Sequence, residues 1–270
     1  MSQTSAAALS PAPSAAALRL AFIRPTLLFL AAYALNSTPH ELAHALCAYF
    51  LGFSSTVFQL WVNPDAAVAT SAQTADIALA GPIFSLIVGI IFGSLYLRFY
   101  RHKPSGLFFL LMAVIGVHCF LGPASVTAFG GGDFGTAFRA LGTAAVVTRT
   151  ISVVGAGMLA ALMFWFGKEI MRWAPQTYSH SAAVLCTTVA PLLLGPPLII
   201  AFYWPLPKFM IGGTIVGQAF WLFTVLGAVL ARKQPRVDTS LTRLHSLDFA
   251  ILATALIMVR ALTHGLRLVP

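Results

Sequence analysis

Several stretches of this chain run to about 20 residues with almost no charge, the length a helix needs to cross about 30 Å of hydrocarbon. That feature limits the fold more than any motif does. A chain so built lies across a bilayer, and its apolar runs predict helices. The composition agrees: of 270 residues, 59% are hydrophobic and 9% charged, against about 45–50% and 25% in water-soluble domains. A mean hydropathy of +0.87 excludes disorder and a conventional water-facing surface. The expected fold class is an all-α polytopic membrane protein of about six to seven transmembrane helices.

Seven segments are placed near 26–50, 76–97, 106–128, 148–170, 183–203, 210–231 and 247–266. Residues 1–18, rich in Ala, Ser and Pro, lack the basic start and compact apolar core of a secretory signal and read as a flexible tail. The formal charge of +9 does not point to nucleic acid, because the bases form short clusters between apolar runs rather than a stripe interleaved with aromatics. With the N-terminus inside, Arg19, Arg24, Arg98, Arg101, Lys103, Lys168, Arg172, Arg232, Lys233, Arg236 and Arg243 share one side, and loop 52–75 opposite has no base. That alternation suits anionic lipid headgroups on one face and supports the seven segments. The three cysteines, Cys47, Cys119 and Cys186, lie in apolar segments without a CxxC pair and say nothing firm about redox compartment.

One loop differs from the rest. Residues 54–62 are rich in β-branched and aromatic types, Asn63-Pro64-Asp65 is a turn former, and a milder run follows from Ala66 to Ala72. This predicts a β-hairpin after the first segment. It reads either as a structural cap on the helix ends or as an open strand edge able to pair with an extended peptide.

The chemistry sits in the first segment. His40-Glu41-Leu42-Ala43-His44 is an HExxH motif on a predicted helix. Histidines at i and i+4 stand one turn apart on one face, where both imidazoles reach a single Zn²⁺. Glu41 is placed to act as general base and then pass the proton to a leaving amine. Chance yields the pattern about once in a thousand chains of this composition. Thr38-Pro39-His40-Glu41 also has capping-box spacing, so Glu41 could instead cap a helix that starts at Thr38. That alternative leaves the histidine pair and the carboxylate within an apolar stretch unexplained. An acidic residue there costs about 2.5–3.5 kcal/mol on insertion scales and marks a functional site by default. Pro39 is expected to break the helix and open the site to water and substrate backbone.

A catalytic zinc site takes three protein ligands and keeps a fourth position open. Asp133, in Gly130-Gly131-Gly132-Asp133-Phe134-Gly135, is the candidate third ligand: the glycines permit a sharp bend, no base lies within five positions, and it falls on the side of the outer half of the HExxH helix. With Asp133 and Glu41 ionised, a zinc site is electrically neutral, which a low-dielectric interior tolerates. A turn residue in a glycine-rich loop is the other reading of Asp133. Asp65, Asp76, Glu169, Asp238 and Asp248 lie in loops or at segment ends, where a solvated role suffices. Cys47, on the His44 face, and His118 are rival ligands; a packing thiol and a satisfied intramembrane histidine or indirect partner are their other readings.

With HExxH in a membrane helix, a β-rich loop after it and a glycine-flanked aspartate later, the chain resembles the site-2 protease family of intramembrane zinc metallopeptidases. Ala80-Gly81-Pro82 looks like that family's Ala-Gly-Pro motif, with Gly81 allowing close helix contact and Pro82 a kink. The resemblance covers roughly 20–146 and nothing in 147–270. It divides the chain into the tail, a metalloprotease-like membrane core at 19–146 and additional membrane helices at 147–270. It implies His40, His44 and Asp133 as ligands of Zn²⁺ and Glu41 as catalytic base. The implied activity is hydrolysis of a peptide bond in or near the transmembrane helix of a membrane protein substrate, in a bacterial-type inner or plasma membrane. Ser85 stands where the family usually has Asn, and Gly-Asp-Phe-Gly replaces its Leu-Asp-Gly; Gly122-Pro123 resembles a remnant of the proline-rich lead-in. No PDZ-like insertion is present. A non-proteolytic metal-binding relative that acts by binding partners, and a metal transporter, are the alternatives.

Overall fold

The computed structural model describes residues 15–176, 178–206, 219–236 and 246–270. Residues 1–14 of the expected tail, Asp238, Arg243 and much of the sixth expected segment lie outside the described residues. Helix α1 (Ala15–Phe50) leads to a hairpin of β1 (Ser55–Val57) and β2 (Val62–Pro64). Then come α2 (Ser71–Leu95), which runs on as a π-helical turn to Tyr100, and α3 (Gly106–Ser125). Helix α4 (Gly132–Ala140) is short, and α5 (Ala145–Ile170) is long. The rest comprises α6 (His180–Val184), which continues through a π turn into α7 (Ala190–Phe202), then α8 (Trp221–Leu230), α9 (Ser246–Ala261) and β3 (Leu266–Leu268).

Among the described residues four helical stretches are long and apolar enough to cross a membrane: Ser71–Tyr100, Gly106–Ser125, Ala145–Trp173 and His180–Phe202. Their outward faces are apolar, with Ile83, Ile87, Ile90 and Ile91 exposed on α2 and Val153, Val154 and Met158 on α5. Arg24, Asn36, His40, Ser85 and Glu169, by contrast, are buried. This inversion of the water-soluble pattern suits an apolar surround. Leu28, Leu110, Leu159, Phe166, Trp173 and Tyr203 join α1, α3, α5 and α7 in one core.

Successive helix ends gather at two poles. At the first, the buried Arg24 guanidinium donates to Asp248 Oδ2 at 2.8 Å and to the Pro104 carbonyl at 3.3 Å. Nearby Glu169 accepts from Tyr96 Oη at 2.7 Å and from Arg101 Nε at 2.8 Å. That bond holds the Arg101 guanidinium above its ordinary pKa. Arg236 donates to the Pro175 and Tyr178 carbonyls. Arg24, Arg101 and Arg172, three of the bases expected on one side, meet these helix ends. The solvated role expected for the acids is wrong for Glu169 and Asp248, which are 2% and 6% exposed: arginines from other segments come to meet them, and spacing along one chain cannot show that.

The second pole carries the sheet. A hairpin follows α1 as predicted, but its turn lies at Phe58–Trp61, and Asn63-Pro64 belongs to β2. The reason is packing. Leu60 is 4% exposed in the helix core, Phe58 and Trp61 stack at 4.5 Å, and Gln59 Nε2 donates to the Tyr203 carbonyl at 2.9 Å. Residues 66–72 form no second strand: a capping box between Thr70 and Gln73 starts α2 instead. The expected open edge is corrected too, because β1 is the central strand, in the order β2-β1-β3. Strand β3 comes from the C-terminus, where the seventh segment was expected to reach 266. In the antiparallel ladder Thr56 opposes Asn63, while Phe58 N–H donates to the Trp61 carbonyl and Asp65 N–H to that of Ser54. The alternation therefore turns the backbone groups of Val62 and the carbonyl of Pro64 outward. Among the described residues the sheet has two edges, β2 and β3, with β1 between them.

Candidate metal centre

Helix α1 is continuous through Pro39. This overturns both the expected break and the capping alternative for Glu41, since Thr38 Oγ1 donates to the Gln59 carbonyl at 3.1 Å rather than capping a helix start. Pro39 has no N–H, so the Leu35 carbonyl loses its usual helical partner without the helix ending. A continuous helix keeps His40 and His44 one turn apart, with ring centroids 4.8 Å from each other.

Asp133 is brought to them by the glycine run. Gly130 and Gly132 adopt φ of +69° and +66°, and α4 begins at Gly132, setting Asp133 in its first turn. Asp133 Oδ2 lies 3.3 Å from His40 Nε2, and Oδ1 lies 3.7 Å from His44 Nε2. One donor atom from each of the three residues falls within 4.8 Å of the others. Ligand bonds of about 2.0–2.2 Å in a tetrahedral site put donor atoms about 3.3–3.6 Å apart. The two His–Asp spacings come close to this, and the group could hold a small divalent ion.

The outer ring nitrogens are also occupied. His44 Nδ1 lies 2.6 Å from the Ile77 carbonyl, which can only accept. The proton therefore sits on Nδ1, and Nε2 offers its lone pair toward Asp133. Gly81 N–H approaches the same Nδ1 at 3.4 Å, a longer and weaker contact. His40 Nδ1 lies 3.0 Å from Ser85 Oγ. A Cβ added at Gly81 would stand 2.3 Å from His44 Nε2 and 2.7 Å from His40, so only glycine lets α2 lie against both rings.

The group opens into a cavity of about 890 Å³ lined by Glu41, Trp61, Val62, Ile77, His118 and Asp133, among others. Glu41 is near enough to interact electrostatically with both His40 and Asp133. Val62 and Pro64, at the free strand edge, form part of the same wall. Among the described residues Cys47 stands outside the three-residue group, as does His118, although His118 borders the cavity. Asn36 and Ser85 were not singled out as site residues, and neither was the Ile77 carbonyl. A signal existed: Asn36 lies four residues before His40 on α1, and Ser85 four after Gly81 on α2, one helical turn in each case.

Comparisons with family models, curated proteins and solved structures yield no match.

Proposed function

We propose that this chain is a multi-pass intramembrane zinc metallopeptidase, resembling the site-2 protease family, that cleaves a peptide bond in or near the transmembrane segment of another membrane protein. The convergence of His40, His44 and Asp133 beside Glu41, in a cavity walled by apolar helices and a free strand edge, carries the reading. The chain crosses the bilayer seven times, with the arginine-rich pole on the cytoplasmic face of a bacterial-type inner or plasma membrane.

His40 and His44 through Nε2 and Asp133 through its carboxylate would hold the ion. Zinc, when bound, supplies Lewis-acid chemistry that polarises a carbonyl and acidifies water. Glu41 takes the proton of the attacking water on its carboxylate and delivers it to the leaving amine. A substrate helix hides its carbonyls in its own hydrogen bonds and must unwind before one can enter. The outward Val62 N–H and C=O receive the unwound stretch as an added strand and align it along the cavity wall.

The test is Glu41→Gln in membranes, with cleavage followed by comparative proteomics of membrane fragments. Cleavage is expected to fall about 10²–10⁴-fold while zinc and fold remain. Undiminished cleavage refutes the mechanism.

A further inference from the structure

Among the groups around the two imidazoles, one pair is a side-chain device rather than a backbone contact. Ser85 and Asn36 are both fully buried, yet neither faces the cavity. Ser85 Oγ donates to Asn36 Oδ1 at 3.0 Å, which leaves its lone pairs to accept from His40 Nδ1–H, also at 3.0 Å. Asn36 Nδ2 finds no hydrogen-bond partner among the described residues, so the amide is committed through its oxygen. A buried amide with an orphaned donor costs free energy that an apolar residue of the same size would not. Such a group persists where its orientation serves something else.

We propose that Ser85 and Asn36 are positioning residues for His40. Together they form a two-link relay that keeps the proton on Nδ1 and turns Nε2 toward His44 and Asp133. The inference rests on the metal-site reading above and adds to it that the two histidines are oriented by unlike means. His44 is set by a main-chain carbonyl of α2, which no substitution removes. His40 is set by side chains from two helices, so its half of the site is tunable. The relay runs from His40 on α1 across to Ser85 on α2 and back to Asn36, one turn before His40. It therefore also ties the metal-facing ring to the contact between the two helices.

The experiment uses the full chain in detergent and Zn²⁺ itself as probe, with affinity read by competition against a chromophoric chelator. Ser85→Ala is expected to weaken Zn²⁺ binding about 10–100-fold and to lower the unfolding temperature of the metal-free protein modestly, because Asn36 Oδ1 and the His40 N–H lose their partner. Ser85→Thr, which keeps the hydroxyl, should restore most of the affinity. Asn36→Leu should weaken binding several-fold in the wild-type background and have no further effect in Ser85→Ala, because the relay is already cut. Ser85→Ala binding within twofold of wild type, or losses that simply add, overturns the relay while a His40→Ala variant that loses Zn²⁺ leaves the metal site standing. Wild-type protein that takes up no Zn²⁺ overturns the metal reading and the relay with it. If Ser85→Ala does not fold, Asn36→Leu decides alone: retained affinity overturns the proposal, and a several-fold loss with unchanged unfolding supports it.

Discussion

Both poles of the bundle hold carboxylates among packed helices, and their partners differ in kind. At the arginine-rich pole, Asp248 meets Arg24 at 2.8 Å, and Glu169 meets Arg101 at 2.8 Å with Arg172 at 3.4 Å. These are permanent cations, and each carboxylate already has its counter-charge, although Arg24 Nη1 and Arg172 Nε find no hydrogen-bond partner among the described residues. At the sheet pole, Asp133 faces His40 and His44, whose rings carry charge only when protonated and whose outer nitrogens are already engaged. A divalent ion can take the place between these groups; nothing need take a place between Arg24 and Asp248. The difference separates a structural ion pair from a metal centre even though both bring a carboxylate to basic side chains.

The largest test of that contrast is Asp133→Ala. Bound zinc after dialysis is expected to fall from one equivalent to none, with little change in unfolding of the metal-free protein, because the Asp133 side chain is 31% exposed. Zinc retained in that variant would make the two poles alike. At the other pole, Asp248→Ala leaves the Arg24 guanidinium, 2% exposed, without its carboxylate. Removing one partner of a buried pair costs about 3–5 kcal/mol, to be read by denaturation, while the zinc affinity of the folded fraction stays unchanged. Gly81→Ala should come next. It forces a Cβ against both imidazoles, with about 1–3 kcal/mol lost to overpacking, and a zinc titration should weaken along with it. The smallest effect belongs to Asp65→Ala. Asp65 and Arg267 are 70% and 68% exposed and 3.8 Å apart, so denaturation should move by less than about 0.5 kcal/mol. A larger loss would mean that charge, rather than the β1–β3 ladder, holds the C-terminal strand.

Much of this was readable along the chain because it depends on local spacing. The HExxH pair is local, since one helical turn separates the rings wherever the helix lies. The alternation of apolar runs with short basic clusters is local as well. The hairpin after α1 was readable as an element, but its turn was not: Asn63-Pro64-Asp65 has the composition of a turn, while Leu60 and Gln59 are drawn into the bundle by Phe58, Trp61 and Tyr203. Pro39 was expected to break a helix that packing keeps whole. Glu169 and Asp248 were expected in water because each sits near a segment end, and Arg101 and Arg24, which meet them at 2.8 Å, lie 68 and 224 positions away. Residues 147–270, which carry no recognisable motif, supply Tyr203 to the hairpin and β3 to the sheet.

By itself, then, the chain's order of residues determined that it is helical and apolar, that two imidazoles share one helix face, and that Asp133 sits on a backbone free to bend. Only the tertiary structure decided that Asp133 reaches those imidazoles, that Ser85 and Ile77 occupy their far nitrogens, and that β1 lies inside the sheet with β2 at an edge. The physical reason is range. Helical periodicity and glycine's freedom act within a few residues, whereas a ligand set, a buried ion pair and a strand order are made by segments that meet only when the helices pack.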